Sequence, residues 1–442
     1  MRIASITAGA AGMFCGSCLR DNTLATALME LGHDTLLLPT YTPIRTDEPD
    51  ASRGPIFFGG VSVYLRQRYR WARHVPRWLW RPLDSRLLLR LVSKVAVSVR
   101  AEELGRLTVA MLQGPRGPLR AEVESLAAWL QREWKPDVVL LTNVLLSGII
   151  PELKQRLRVP IVATLQGDDI FLDALPAEFR SECIEWIRRN CEEVDRLIAT
   201  CGYYADHMAR ELGLPRDRFR VVYPGIRVEK FDSVARDAVD VHRDDVPVIG
   251  YFARIAPEKG LHLLADAFIQ LRRDSTLPKV RLRAGGWLGS HQRSYLEGIQ
   301  RKLQEAGLAS DFQYVDAPTH SDKMRFLRSV DLFSVPAPYR DPKGLYVLEA
   351  WAAGVPVVQP EHGSFPELIG MTGGGILVKP NDSNALAEGL RRLVADAELR
   401  RELGQRGHAA LRDRLTAQRM AADTIAVLEE VSGQPTLAQS HV

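Results

Sequence analysis

Short apolar runs alternate with longer helical patterns along most of the chain, and this alternation constrains the fold more than any other feature. Apolar runs of this length, bounded by turn residues, are typical of buried strands, and their alternation with helices is typical of parallel sheets. The predicted strands are 2–8, 34–40, 137–142, 160–165, 196–200, 220–224, 246–253, 280–285, 312–316, 332–336, 356–360 and 375–380. The series restarts after a polar stretch, 232–245. We therefore predict an α/β fold with two doubly wound parallel-sheet domains that face each other across a cleft.

Length and composition support two soluble domains. A chain of 442 residues is too long for one hydrophobic core. We predict a first domain at 1–232, a second at 246–415, and a final helix at 416–432 that packs back toward the first domain. The hydrophobic fraction of 46% and charged fraction of 25% are those of soluble globular proteins. A net charge of +4 does not by itself indicate a nucleic-acid partner.

The N-terminal sequence and the cysteines predict a cytoplasmic protein. The chain starts with a strand-like segment without a basic region before a long apolar stretch, so we expect no signal peptide. The five cysteines are an odd number, which favours free thiols in a reducing compartment. Cys15 and Cys18 form a CxxC pair, but zinc would need two further ligands, so we predict no metal. A redox pair stays open, with two ordinary thiols favoured.

The segment DPKGLYVLE, 341–349, predicts a ligand site. Asp341 and Glu349 flank a turn at Gly344 and Leu345, after which a helix is expected. Two carboxylates can hold a polyhydroxylated ring by charge-assisted hydrogen bonds. The backbone N–H groups of Gly344, Leu345 and Tyr346 can face negative oxygens at a helix start.

Two further loops of the second half follow predicted strands. Arg254 and Lys259 come after strand 246–253 and before a helix, and two cations at a helix start can bind a diphosphate. Two solvated surface cations are an equally open interpretation. Gly285 and Gly286 end strand 280–285 and let a ligand approach the backbone closely, although a tight turn without a ligand also needs glycine.

In the first half, candidate ligand contacts follow three predicted strands. Gly12 and Gly16 lie in the first loop, where their spacing differs from G-x-G-x-x-G and disfavours a nicotinamide cofactor. Gln166 and Asp168 follow strand 160–165 and Asn143 follows strand 137–142, so their side chains can bind acceptor hydroxyls. Helix capping by an aspartate of this loop is an alternative.

The segment 66–100 is basic and rich in tryptophan. It has ten Arg or Lys against one acid, with apolar residues at helical spacing after the tryptophans. Such a segment is typical of a helix that lies on a membrane surface. A helical excursion that packs on its own domain is the alternative. We leave both open, and we expect no nucleic-acid contact because no motif for it is present.

Four stretches of the second half together resemble the donor domain of glycosyltransferase family 4. They are ARIAPEKG (253–260), RLRAGG (281–286), DPKGLYVLEAWAAGVPVV (341–358) and HGSFPELI (362–369). LATALMELGHDT (24–35), RLIATCGYYADHM (196–208) and YPGIRVEKF (223–231) extend the resemblance to the first half. The family implies the GT-B fold, with two Rossmann-like domains, retention of anomeric configuration and no metal or other cofactor.

The resemblance implies a role for each matching residue. Arg254 and Lys259 match the pair that binds the donor diphosphate, and Glu349 matches the acid that holds the ribose. Asp341 takes the place of a glutamate that touches the transferred sugar, and being one methylene shorter it bears on sugar choice. Gln166 lies near the usual position of a histidine, and Glu367 matches the acid of a Pro-Glu turn.

The function that follows is transfer of a sugar from a nucleotide-diphosphate sugar to a hydroxyl acceptor. The acceptor is a glycan, a glycolipid or a small molecule. If the segment 66–100 lies on a membrane surface, we expect the acceptor to be a lipid-linked glycan or a glycolipid and the enzyme to be peripheral on the inner face of a membrane. Two alternatives share the fold: an epimerase of sugar nucleotides and a catalytically impaired protein that only binds them.

Overall fold

The computed structural model describes residues 1–9, 16–44, 46, 48–58, 101–232, 246–317 and 319–433. The chain divides into two compact units. The first consists of Met1–Tyr223 and the segment that starts at Gln418, and the second consists of Pro224–Ala417. Gly12, Cys15 and the basic segment 66–100 lie outside the described residues.

Each unit is built on a parallel sheet, and the strands within the described ranges form six-stranded sheets in both. The strands are β1 Arg2–Thr7, β2 Asp34–Pro39, β3 Val138–Leu141, β4 Ile161–Leu165, β5 Arg196–Ala199, β6 Phe219–Val221, β7 Val248–Phe252, β8 Arg281–Gly285, β9 Phe312–Val315, β10 Leu332–Phe333, β11 Val357–Pro360 and β12 Gly375–Val378. The first sheet has the order β2-β1-β3-β4-β5-β6, and the second has the order β12-β11-β10-β7-β8-β9. Strands such as β3 and β4 are mainly apolar and are buried along their whole length, because helices cover both faces of a parallel sheet.

The α-helices of the described ranges lie between successive strands or after β12. They are α1 Gly16–Glu30, α2 Ala101–Gln113, α3 Arg120–Trp129, α4 Ile150–Leu157, α5 Asp168–Asp173, α6 Ala177–Cys191, α7 Gly202–Leu212, α8 Glu229–Asp232, α9 Leu261–Arg273, α10 Arg293–Glu305, α11 His320–Arg328, α12 Leu345–Ala352, α13 Phe365–Thr372, α14 Ser383–Ala395, α15 Ala397–Arg414 and α16 Ala417–Ser432. None of the helices described here is long and apolar enough to cross a bilayer.

Helix α9 shows how the sequence pattern produces this packing. Leu261, Leu264, Phe268 and Leu271 are buried and recur every three or four residues, which places them on one helical face. Burying one such side chain contributes about 1.5–3 kcal/mol relative to leaving it in water. The helix is therefore fixed against the sheet, and so is the loop that precedes it.

The predicted α/β class with two doubly wound sheets is confirmed, and a described strand lies at each of the twelve predicted positions. The largest differences are at 220–224, where β6 is Phe219–Val221, and at 332–336, where β10 ends at Phe333. Pro336 has no backbone N–H and cannot extend the ladder.

Strand order reverses at one point in each sheet. The first sheet reverses between β1 and β3, and the second reverses between β7 and β10. In open α/β sheets, ligands bind beyond the carboxyl ends of the strands at such a switch point. The segments after these four strands are therefore the first places to look for a site.

Candidate active site

The loop after β7 fixes Lys259 next to the segment after β10. A 3₁₀ turn, Pro257–Lys259, ends at Gly260, whose φ is +74°. A Cβ on Gly260 would lie 2.0 Å from the carbonyl oxygen of Pro336. Because only glycine tolerates both this dihedral angle and this approach, the two segments come together and Lys259 lies beside the segment that contains Asp341.

Asp341 is the centre of a hydrogen-bond cluster at the switch point. Its Oδ2 accepts from Lys259 Nζ at 2.9 Å, from the Tyr339 hydroxyl at 2.8 Å and from the Tyr346 hydroxyl at 3.3 Å. Its Oδ1 accepts from the backbone N–H groups of Lys343 at 3.0 Å and Gly344 at 3.1 Å. The carboxylate is therefore surrounded by donors of its own unit.

Electrostatics hold Asp341 in its charged form. Burial alone would raise the pKa of Asp341, but attraction to Lys259 and the hydrogen bond with its ammonium group outweigh burial and hold the pKa well below its usual range. The ammonium nitrogen of Lys259 also lies 4.7 Å from the centre of the Tyr339 ring and 5.1 Å from that of Tyr346. Both distances are within the range of a cation–π contact, so Lys259 is a fixed cation.

Arg254 lies on the more exposed side of the same loop. Its Nη2 donates to Glu258 Oε1 at 2.6 Å, and the side chains are 37% and 41% exposed. An ion pair with this exposure contributes about 0–1 kcal/mol. The pair can therefore exchange for a stronger anionic partner, unlike the buried pair of Lys259 and Asp341.

Glu349 is buried and pairs with a lysine that the sequence did not single out. Lys323 Nζ lies 2.6 Å from Glu349 Oε1, and the side chains are 8% and 10% exposed. Lys323 belongs to α11, where it is buried next to Met324. The sequence signal that could have identified Lys323 is its position on the buried face of an amphipathic helix.

The turn at 341–349 starts helix α12 as predicted. Gly344 has a φ of +61°, and its N–H donates to Asp341. Leu345 and Tyr346 form the first turn, where backbone N–H groups have no acceptor within the helix. Of the three predicted N–H groups, that of Gly344 donates to Asp341, and those of Leu345 and Tyr346 lie at the N-terminus of α12. Glu367 lies in the first turn of α13.

Gly285 and Gly286 are explained by close packing of the chain on itself. Gly286 has a φ of +121°, and a Cβ there would lie 2.0 Å from the carbonyl oxygen of Ala253. A Cβ on Gly285 would lie 2.8 Å from the Phe252 ring. The glycines therefore allow the loop that carries Arg254 to pack on the end of β8.

In the first unit, Gln166 belongs to a buried polar cluster at the ends of the strands. Its Nε2 donates to Asp21 Oδ1 at 3.0 Å and to the Thr142 carbonyl at 2.6 Å. Thr7 Oγ1 also donates to Asp21, at 2.9 Å. The neighbouring Arg20 is buried as well. The sequence did not single out either Arg20 or Asp21.

The other predicted residues of the first unit have mainly structural contacts. Asn143 caps the 3₁₀ helix Val144–Ile149 by accepting from the Leu145 N–H at 2.7 Å. Asp168 Oδ2 accepts from the Gln166 N–H at 2.9 Å, while the N-cap of α5 is Gly167. Gly16 is the first described residue of α1. In the described ranges, no three His, Cys, Asp or Glu side chains are grouped as metal ligands are.

Comparison with protein families gives two matches that together span most of the chain. The family described as Glycosyltransferase Family 4 matches residues 22–230, and the one described as Glycosyl transferases group 1 matches residues 236–410. The first match lies almost entirely within the first unit, and the second lies within the second unit.

Curated relatives match over part of their length. A D-inositol 3-phosphate glycosyltransferase of Saccharomonospora viridis is 32% identical over 229 residues, which are 49% of this chain and 52% of the relative. The protein of the same name from Nocardia farcinica is 28% identical over 284 residues, covering 60% of this chain and 61% of the relative. The chain thus spans about half to three fifths of the length of these relatives.

Solved structures match over nearly the whole chain. Anabaena Alr3699/HepE in complex with UDP gives a TM-score of 0.69 at 16% identity, with 97% of this chain and 100% of that chain covered. Sucrose-phosphate synthase from Thermosynechococcus elongatus gives 0.69 at 19% identity, with 98% and 99% covered. These likenesses confirm the predicted GT-B fold.

Proposed function

Because the chain belongs to glycosyltransferase family 4, we propose that it transfers a sugar from a nucleotide-diphosphate sugar to a hydroxyl acceptor. The observation that supports this most directly is the fixed cation Lys259, held by Asp341 at the switch point of the second sheet. A leaving diphosphate needs cations that are already in place when its charge develops.

Lys259 and Arg254 have complementary roles in this proposal. Lys259 is held by a buried carboxylate and by two aromatic rings, so it need not reorganise when the donor binds. Arg254 leaves its exposed partner Glu258 and binds the diphosphate by two parallel hydrogen bonds. The N–H groups of Leu345 and Tyr346 add the positive end of α12.

We assign Asp341 to positioning. The resemblance implies sugar contact, but five donors of its own unit surround its two oxygens. Asp341 therefore acts through Lys259 and through the turn that starts α12. Glu349, held by Lys323, is the acid that we assign to the ribose hydroxyls.

We propose a retaining reaction that needs no metal, as the resemblance implies. The attacking hydroxyl then approaches on the face of the leaving group, and a donor phosphate oxygen takes its proton. The acceptor site lies in the first unit and includes Gln166. Since the curated relatives are named for D-inositol 3-phosphate, a phosphorylated polyol is the first acceptor to test, followed by lipid-linked compounds with vesicles present.

The donor site can be tested by calorimetry with UDP and other nucleoside diphosphates. Lys259→Met and Arg254→Met each remove one charged contact, which contributes about 1.5–3 kcal/mol, so affinity should fall by about tenfold to hundredfold. Arg273→Met is the matched control, because Arg273 is an exposed arginine at the far end of α9. Undiminished affinity in both site variants would contradict the proposed clamp.

Product analysis tests the reaction itself. The purified protein is incubated with a UDP-sugar, with and without acceptor candidates. A glycosylated acceptor supports the proposal, and its anomeric configuration by NMR tests retention. Conversion of the donor sugar without an acceptor would indicate an epimerase. UDP binding with neither reaction would indicate a binding protein.

A further inference from the structure

A buried arginine of the first unit is not used by the site described above. Arg20 lies on α1, and its exposed fraction is 1%. None of its three side-chain nitrogens donates a hydrogen bond to an acceptor in the described part of the chain. Buried ionised groups are normally paired and hydrogen-bonded, because they lose their hydration. Arg20 therefore needs an acceptor that a ligand can supply.

The adjacent Asp21 does not fill this need. Its Oδ1 lies 3.6 Å from Arg20 Nη1, which is too long for a hydrogen bond. The carboxylate already accepts from Thr7 and Gln166. Burial raises the pKa of Asp21 even though attraction to Arg20 acts in the opposite direction, so Asp21 is an incomplete counter-charge.

The position of this cluster in the fold points to a ligand. Thr7 is the last residue of β1, Thr142 follows β3, and Gln166 follows β4. Asp21 contacts Thr7 and Gln166, and Gln166 contacts the Thr142 carbonyl. The cluster thus lies at the carboxyl ends of the strands where the order of the first sheet reverses. This is the place where open α/β sheets bind ligands.

We propose that Arg20 binds a phosphate or carboxylate group of the acceptor, an inference that rests on the proposed glycosyl transfer. The planar guanidinium group offers two parallel N–H donors, which match the oxygens of such a group. Its buried position limits competition from water. The acceptor class is therefore a hydroxylated compound that carries its own anionic group.

Inorganic phosphate is the probe that tests this subsite without any reaction. Thermal unfolding of the full chain is followed against phosphate concentration, with sodium chloride at matched ionic strength as reference. Phosphate should stabilise the wild type in a saturable manner. Arg20→Met should weaken phosphate binding at least tenfold, which corresponds to the loss of one charged hydrogen-bonding group. Arg189→Met, at an arginine 53% exposed, should leave it unchanged.

Arg20→Lys is a control for misfolding of Arg20→Met, because lysine keeps the positive charge but lacks the two parallel N–H donors of the guanidinium group. It should retain weaker phosphate binding. The inference is wrong if phosphate does not stabilise the wild type, or if it stabilises Arg20→Met equally. UDP binding is measured on the same samples. UDP binding without a phosphate effect overturns the subsite alone, whereas absence of UDP binding overturns the proposed donor function and leaves the phosphate result standing.

Discussion

Replacing Asp341 with asparagine removes one buried charge from the second unit and hardly changes the size of the side chain. Lys259 then loses its counter-charge while it is 15% exposed. Breaking a buried ion pair by removing one partner destabilises a protein by about 3–5 kcal/mol. We take about 3 kcal/mol, the lower end, because Lys259 keeps some contact with water. For a unit of this size the unfolding midpoint should fall by about 6–12 °C.

The dependence on pH has a defined sign. The folded-state pKa of Asp341 is depressed, so its contribution to stability is fully present above the unfolded value of about 3.9. That contribution is lost as the pH falls through the lowered pKa. The difference in unfolding free energy between wild type and Asp341→Asn should therefore be constant near neutral pH and should shrink in acid.

Hydrogen exchange of peptides from α12, measured as a function of urea concentration, reports the unfolding free energy of the second unit separately from that of the first. Glu398→Gln is the control, because it removes an ion pair whose side chains are 64% and 88% exposed. It should leave exchange unchanged. The double variant Lys259→Met with Asp341→Asn should regain part of the lost stability, because the stranded charge is gone. An Asp341→Asn variant as stable as wild type would refute the reasoning. A loss in the double variant equal to the sum of the losses in the two single variants would also refute it.

Three further substitutions test other contacts. Gly260→Ala should destabilise the second unit by at least about 2 kcal/mol in urea unfolding, because the added Cβ meets the Pro336 carbonyl oxygen at 2.0 Å. Lys323→Met should lower stability by about 3 kcal/mol, since Glu349 is left buried without its lysine, and calorimetry should show weaker UDP binding. Asp169→Asn should make the unfolding free energy of the first unit depend less on pH in the acid range. Burial raises the pKa of Asp169, but the hydrogen bonds from His207 and Tyr204 outweigh burial, and the pKa is lowered overall. The stabilisation by Asp169 is therefore lost as the pH falls below about 4.

Each of these has a distinguishing outcome. Gly307 has the same φ of +74° as Gly260 but no atom near its Cβ, so Gly307→Ala measures dihedral strain alone. Equal losses at both glycines would remove the role assigned to the Pro336 contact. Unchanged stability in Lys323→Met would show that Glu349 does not depend on the pair. If the unfolding free energies of Asp169→Asn and wild type depend on pH in the same way in acid, the lowered pKa of Asp169 is contradicted.

The strands were predictable because their signal is local. Runs such as 137–142 and 160–165 are apolar throughout, as buried strands of a parallel sheet must be, and β3 and β4 lie within them. The turn at Gly344 and the helix after it were readable for the same reason. Glycine and the residues around it determine a turn within a few positions of the chain.

The partners of the buried charges were not predictable from one sequence. The helical pattern of α11 places Lys323 on the buried face, but the pattern does not say that Glu349 is its partner. The donors to Asp341 were not evident either, because Lys259 lies 82 residues away from it in the chain and joins Tyr339 as a donor to its Oδ2. Which charges meet is decided by strand order, and the sequence pattern carries little information about that order.

Helix α16 follows the whole second unit in the chain but belongs to the first. Its Glu430 accepts from Arg196 of β5 at 2.8 Å and from Arg220 of β6 at 2.6 Å. During translation, residues 224–417 therefore leave the ribosome before these two arginines meet their carboxylate. Since domains fold as units during synthesis, the unit that is made later can be completed first. A chain truncated after Ala417 should therefore contain a protease-resistant second unit and an unfinished first one.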